Sequence, residues 1–161
     1  MKNPWISHIL DSIQIFPFIK NKQLSILDMG SGAGLPGIVL SIMGCKNVTL
    51  VDSNGKKINF LKITKKEMDL SLNIVLGRLE NLNNYSFDII TSRALANLEK
   101  LFRYSQKFLK KNTTLIFLKG KTVNEELLQA QKIWKFQFNK HQSLSDPRGT
   151  LLIVNNLKKN K

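Results

Sequence analysis

Along this chain, short apolar stretches rich in β-branched residues alternate with longer ones whose apolar positions recur every three to four residues. Residues 26–28, 48–52, 73–76, 87–92 and 114–118 are of the first kind and read as strands. Residues 35–43, 55–70, 97–111 and 123–133 carry the helical period. In 55–70, Ile58, Leu61, Ile63 and Met68 stand among five lysines, so that helix has a wet, basic face. Strand and helix alternate from end to end, with no internal repeat and no Ser/Gly/Pro linker. Such a pattern predicts a doubly wound α/β sheet covered on both faces. Two late strands, near 135–139 and 151–155, have no clear helix between them and should pair as an antiparallel edge hairpin. The expected fold is thus a Rossmann-like, mostly parallel seven-stranded sheet. The chain reads as a single domain, 1–161, with an N-terminal helical segment at 1–22, the sheet core at 23–157 and a basic, solvated tail at 158–161.

One junction carries more information than the rest. Ile26-Leu27-Asp28 runs into Met29-Gly30-Ser31-Gly32-Ala33-Gly34-Leu35-Pro36-Gly37. Glycines suit a backbone that turns sharply and approaches a ligand with no side chain between. Pro36 has no N–H to lose and suits a first helical turn. The segment reads strand, ligand-cradling loop, helix. In doubly wound sheets ligands bind beyond the carboxyl ends of the strands, where strand order reverses. The glycine loop, Asp52 at the end of the second strand and the segment after Ser92 should therefore meet. Two frames compete. Gly32-x-Gly34-x-x-Gly37 matches the dinucleotide fingerprint, with Asp52 placed for a ribose. A frame beginning at Gly30 is better centred on the strand end and sets Asp28 beside the loop, where a carboxylate favours a cationic ligand. In either frame Asp52 can accept ribose hydroxyls, or else serves as a turn acid capping the next helix.

Composition changes this picture modestly. A net charge of +14 and a pI near 10.0 suggest a polyanionic partner. Yet 21 Lys against 4 Arg, with 16 Asn, 16 Ile and 4 Ala, is also what an AT-rich gene imposes, so charge permits nucleic acid without demonstrating it. The single Cys45 excludes an internal disulfide framework, and with only His8 and His141 a structural zinc site is not expected. No apolar stretch approaches the roughly 20 residues that span a bilayer. The N-terminal apolar run is interrupted by Asp11 and has no cleavage signature. A cytoplasmic monomer without a membrane partner is the expectation.

Asp28-x-Gly30-x-Gly32-x-Gly34 resembles the first motif of class I S-adenosylmethionine-dependent methyltransferases. Further segments then fall into order: His8-Ile9-Leu10-Asp11-Ser12, Gly-Leu-Pro-Gly at 34–37, Asp52-Ser53 with Lys56-Lys57-x-x-Phe60-Leu61, Ser92-Arg93-Ala94, and Leu118-Lys119-Gly120. Together they closely resemble the RsmG family, also called GidB, over nearly the whole chain. The resemblance implies methyl transfer from S-adenosylmethionine to N7 of a guanine in 16S rRNA, guanine-527 by the family's name. The substrate would be free rRNA or a small-subunit ribosomal particle. It matches Gly30, Leu35, Leu79, Glu80 and Arg93 to cofactor-binding positions, beside Asp28, Gly32, Gly34 and Asp52 from the loop itself. Leu79 and Glu80 follow the third strand, where such enzymes place their adenine contacts. Family members usually carry a longer N-terminal helical segment ending in Arg-His; Ser7 stands where that arginine would be. The alternatives are a cofactor-binding or inactive remnant, a methyltransferase for another acceptor, and a nicotinamide dehydrogenase.

Guanine N7 already carries an in-plane lone pair, so its attack on a sulfonium methyl removes no proton. Alignment and desolvation are then the protein's task, with no general base. Consistent with this, no Asn/Asp-Pro-Pro-aromatic motif follows the fourth strand. No catalytic residue is assigned. Arg93, Lys119 and Arg148 are the substrate-side candidates, near strand ends at the cleft mouth. Arginine can fork onto phosphate or the guanine O6 edge, although an O6/N7 contact would obstruct the reacting lone pair. Arg148 reads equally well as half of a surface salt bridge. His8 and Asp11 are either N-terminal packing residues or part of the site.

Overall fold

The computed structural model describes residues 3–83 and 85–161. Its elements run α1 (Pro4–Ile13), β1 (Ser25–Met29), α2 (Gly37–Ile42), β2 (Asn47–Asp52), α3 (Gly55–Glu67), β3 (Leu72–Leu76), β4 (Phe87–Arg93), α4 (Leu98–Ser105), β5 (Leu109–Lys119), α5 (Val123–Gln131), β6 (Trp134–Gln142) and β7 (Thr150–Lys159). The strands form one seven-stranded sheet in the order β3-β2-β1-β4-β5-β7-β6. The first five pair in parallel, whereas β7 is antiparallel to both β5 and β6. This is the doubly wound sheet with an antiparallel edge hairpin that the alternation predicts.

Local chemistry starts the helices where it should. Asn3 caps α1 by accepting the Trp5 N–H, and Pro4 occupies its first turn. Asn54 accepts the N–H groups of Lys56 and Lys57 at α3, and Asn97 accepts that of Lys100 at α4. Burial then decides the faces. Phe102 and Leu101 of α4 and Leu127 of α5 cover Met29, Val51 and Phe117 on one side of the sheet. Leu40 of α2 and Leu61 of α3, with Ile15 after α1, cover Ile26, Leu50 and Ile116 on the other. Each such side chain contributes about 1.5–3 kcal/mol by leaving water.

Three expectations change. The helix expected over 97–111 ends at Ser105, and Leu109 is already paired with Phe87 at the start of β5. A 3-10 turn, Gln106–Phe108, follows the helix; Phe108 is buried edge-on against Phe87 and Lys110 pairs with Asp88 at 2.9 Å, so long-range contacts draw the chain from Leu109 onward into the sheet. The helix expected over 35–43 begins at Gly37; Pro36 is its N-cap, after a cis Leu35–Pro36 bond. The tail expected at 158–161 is half strand, because Lys158 and Lys159 pair with Lys135 and Trp134. In the N-terminal segment 1–22 the helical parts are α1 and a short 3-10 turn at Phe16–Phe18; residues 1 and 2 lie outside the described residues. Among the described residues, no helix is long and apolar enough to cross a membrane.

Strand order reverses between β1 and β4. The loops that follow these two strands are the glycine loop and the Ala94–Asn97 turn, and the site lies between them.

Candidate functional site: two adjoining cavities

Beyond the carboxyl ends of β1, β2 and β4 lies a cavity of 420 Å³, lined by Gly30, Asp52, Leu79, Glu80, Ala94 and Leu95 among others. That volume suits a nucleoside-sized ligand. Asp52 ends β2 with each carboxylate oxygen accepting one backbone N–H at 2.9 Å, Oδ2 from Gly32 and Oδ1 from Asn54. Each oxygen keeps a further lone pair, and the carboxylate is held in one orientation. Leu79 and Glu80 sit in a 3-10 turn after β3, the first buried and the second exposed. Gly30 has φ +64°, and a Cβ built there would lie 2.6 Å from Leu95 Cδ1. Glycine keeps the wall of the cavity open at that point.

The other loop residues divide by role. Gly32 lends its N–H to Asp52, tying the loop to β2. Gly34 faces inward, where a Cβ would lie 2.2 Å from Ile38 Cδ1, so its smallness serves the packing of α2 and α3. Leu35 is half-buried and Gly32, Gly34 and Leu35 are not among the residues lining the cavity. Asp28 differs most from expectation. Its carboxyl is fully buried behind the loop, accepting the Gly37 N–H at 3.0 Å and the Thr91 hydroxyl at 3.2 Å. It anchors the start of α2 to the sheet instead of lining the cavity beside a cation.

Burial pushes the Asp28 carboxyl up to about 7, against the hydrogen bonds from Gly37, Thr91 and Ser31 and the charge of Arg93, which pull it down. A carboxyl with a raised folded-state value holds its proton longer in the fold than in the unfolded chain. Its contribution to stability is therefore complete below about pH 4 and lost as pH rises through about 7, levelling off above. The asparagine variant keeps the acceptor for Gly37 and carries no charge. Asp28→Asn is expected to remove a pH-dependent loss of about 4 kcal/mol between these limits, read as the difference between the two proteins' urea-unfolding free energies at stepped pH. Parallel curves would refute the burial of an ionisable carboxyl there.

A second cavity, also of 420 Å³, adjoins the first across Ala94, which lines both. All three substrate-side candidates, Arg93, Lys119 and Arg148, line it, with Asp11, Ser143 and Ser145. Their states differ. Arg93 donates from Nη1 to His8 Nδ1 at 2.7 Å and lies 3.8 Å from Asp11 Oδ2. It lines this second cavity and not the first, in contrast to the cofactor position implied by resemblance. The Lys119 ammonium is committed, to Glu126 Oε2 at 2.7 Å and to the Ala96 carbonyl at 2.9 Å. Glu126 also accepts the Leu98 N–H and the Thr122 hydroxyl, so this partly buried pair staples the 94–98 turn to β5 and α5. Lys119 is thus a support for the cavity wall. Arg148 is exposed and forks onto Asp146, the surface pair that was its alternative reading, while still facing the cavity.

Asp11 both lines the second cavity and ties together elements distant in sequence. Its Oδ1 accepts from the hydroxyls of Ser143 (3.4 Å) and Ser145 and from Gln14 Nε2 (3.2 Å), joining α1 to the β6–β7 loop. Its place in the run His8-Ile9-Leu10-Asp11-Ser12, one helical turn after His8, was the available signal.

The seven-stranded sheet and its switch-point cavity have the architecture of class I S-adenosylmethionine-dependent methyltransferases. The fold superposes on a ribosomal protein L11 methylase from Lactobacillus delbrueckii subsp. bulgaricus with a TM-score of 0.76 at 17% identity, covering 100% of this chain and 81% of that one. It superposes on M. jannaschii TYW2 in complex with AdoMet with a TM-score of 0.71 at 16% identity, over 96% and 77% of the two chains. The family model for rRNA small subunit methyltransferase G matches residues 1–150. The ribosomal RNA small subunit methyltransferase G of Rickettsia prowazekii (strain Madrid E) is 40% identical over 157 residues, 98% of this chain and 81% of that protein. The chain belongs to the rRNA small subunit methyltransferase G family.

Proposed function

We propose that this chain transfers a methyl group from S-adenosylmethionine to N7 of a guanine in 16S rRNA, by direct attack and without a general base. The observation that carries the reading is the pair of cavities meeting at Ala94, in a chain of this family. The first cavity would take the cofactor, with Asp52 on the ribose hydroxyls, Leu79 and Glu80 beside the adenine, and Gly30 leaving room for the approach. Bound there, the cofactor supplies an electrophilic methyl on a sulfonium. The second cavity would take the acceptor base, and Arg148 and Lys121 at its margin suit the flanking phosphates. N7 has no proton to lose, so these residues need only align the base and exclude water. Such a substrate places the enzyme in the bacterial cytoplasm, and one copy of the chain holds both cavities.

Purified protein with labelled S-adenosylmethionine is expected to methylate unmodified small-subunit rRNA, offered free or as the ribosomal particle. Borohydride–aniline treatment should then cleave the rRNA at a single guanine. Cofactor binding without cleavage of either substrate would overturn the reading, and label at another atom would redirect it to a different acceptor.

A further inference from the structure

We propose that Asp11, with Arg93 beside it, reads the Watson–Crick edge of the target guanine and thereby presents N7 to the cofactor. This rests on the guanine-N7 reading above and names how the base is chosen. Both residues line the second cavity, whose shared wall with the first is Ala94. The carboxylate is aimed by its neighbours: Oδ1 accepts from Ser143, Ser145 and Gln14. Among the described residues Oδ2 has no such donor; Arg93 Nη1, at 3.8 Å, is beyond hydrogen-bond reach. Arg93 is itself oriented through His8 Nδ1. An acceptor and a donor thus stand side by side in one cavity, each steadied from behind.

The guanine Watson–Crick edge presents O6 as an acceptor beside N1–H and the 2-amino group as donors. Asp11 Oδ2, with both lone pairs open, can accept from the two adjacent donors together, and the Arg93 guanidinium matches O6. Adenine offers a lone pair at N1, which a carboxylate repels. A phosphate would likewise be repelled by Asp11, so this part of the cavity suits a base edge and not the backbone. Approach from the Watson–Crick side also answers the objection to an arginine near O6, because N7 lies on the opposite edge and stays free. Asp11 is therefore a specificity-determining residue that takes no part in bond making.

The test uses 16S rRNA ligated around a synthetic oligonucleotide carrying guanosine, inosine or 1-methylguanosine at the target. All three keep N7, but inosine lacks the 2-amino group and 1-methylguanosine lacks N1–H. The unaltered protein is expected to lose roughly tenfold to a hundredfold in kcat/KM on each analogue. Asp11→Asn, matched for folded fraction and for S-adenosylmethionine affinity, should lose activity on guanosine and discriminate among the three by no more than about twofold. Equal use of the analogues by the unaltered protein would overturn the proposal, whatever the variant does. So would an Asp11→Asn protein that keeps full discrimination. Absence of methylation on the guanosine RNA itself would instead sink the guanine-N7 reading on which the proposal stands.

Discussion

Exchange of Lys119 for methionine is expected to destabilise the protein by about 3 kcal/mol, lowering Tm by on the order of 10 °C. The reason is what remains behind. Side chains of Lys119 and Glu126 are only 8% and 16% exposed, and the carboxylate cannot leave because it also holds the Leu98 N–H and the Thr122 hydroxyl. Removing the ammonium strands that charge and frees the Ala96 carbonyl of its donor. The double variant Lys119→Met, Glu126→Gln should recover part of the loss, since an amide can still accept from Leu98 without carrying charge. Both proteins should bind cofactor more weakly than the unaltered one, because the loosened 94–98 turn walls both cavities. Calorimetric unfolding decides the matter: a Lys119→Met protein as stable as the original would show that the pair contributes nothing net.

Gly30→Arg is expected to reduce S-adenosylmethionine affinity at least roughly a hundredfold, about 3 kcal/mol, while the circular dichroism of the fold persists. Two effects combine. A residue with a Cβ at φ +64° pays about 1–2 kcal/mol for the left-handed conformation, and that Cβ would stand 2.6 Å from Leu95. The arginine side chain must then extend into the 420 Å³ where the ligand would lie. Gly30→Ala isolates the first effect and should be the milder variant. Titration calorimetry on both separates backbone strain from filling of the site, and unchanged affinity for Gly30→Arg would refute the placement of the cofactor.

Much of the fold was legible because it rests on local signals. Alternating periods mark five parallel strands and their helices, each set by neighbours a few positions apart. Residues 106–111 carry a helical spacing yet form a 3-10 turn and the start of β5 for a physical reason. Phe108 and Leu109 continue a helical spacing, but their partners, Phe87 and the β4 ladder, are distant in sequence and outweigh propensity. The same holds for Lys158 and Lys159, which look like a solvated tail until β6 is placed beside them. At the site, Gly30, Asp52, Leu79 and Glu80 line one cavity, because each lies at the carboxyl end of a strand or within four residues of it. Asp28 and Lys119 could be located at strand ends but their surroundings could not, since burial and pairing are set by side chains from other elements.

By itself, then, the sequence determined the strand–helix order, the glycine loop between β1 and α2, and membership in one methyltransferase family. These depend on residue type and on neighbours a few positions apart. Only the tertiary structure decided which way each charged group is turned. It buried Asp28 against α2, tied Lys119 to Glu126 and set Asp11 of α1 against Ser145, 134 residues away. Electrostatics falls off with distance in space and not along the chain, so the chemistry of a carboxylate is known only when its neighbours are.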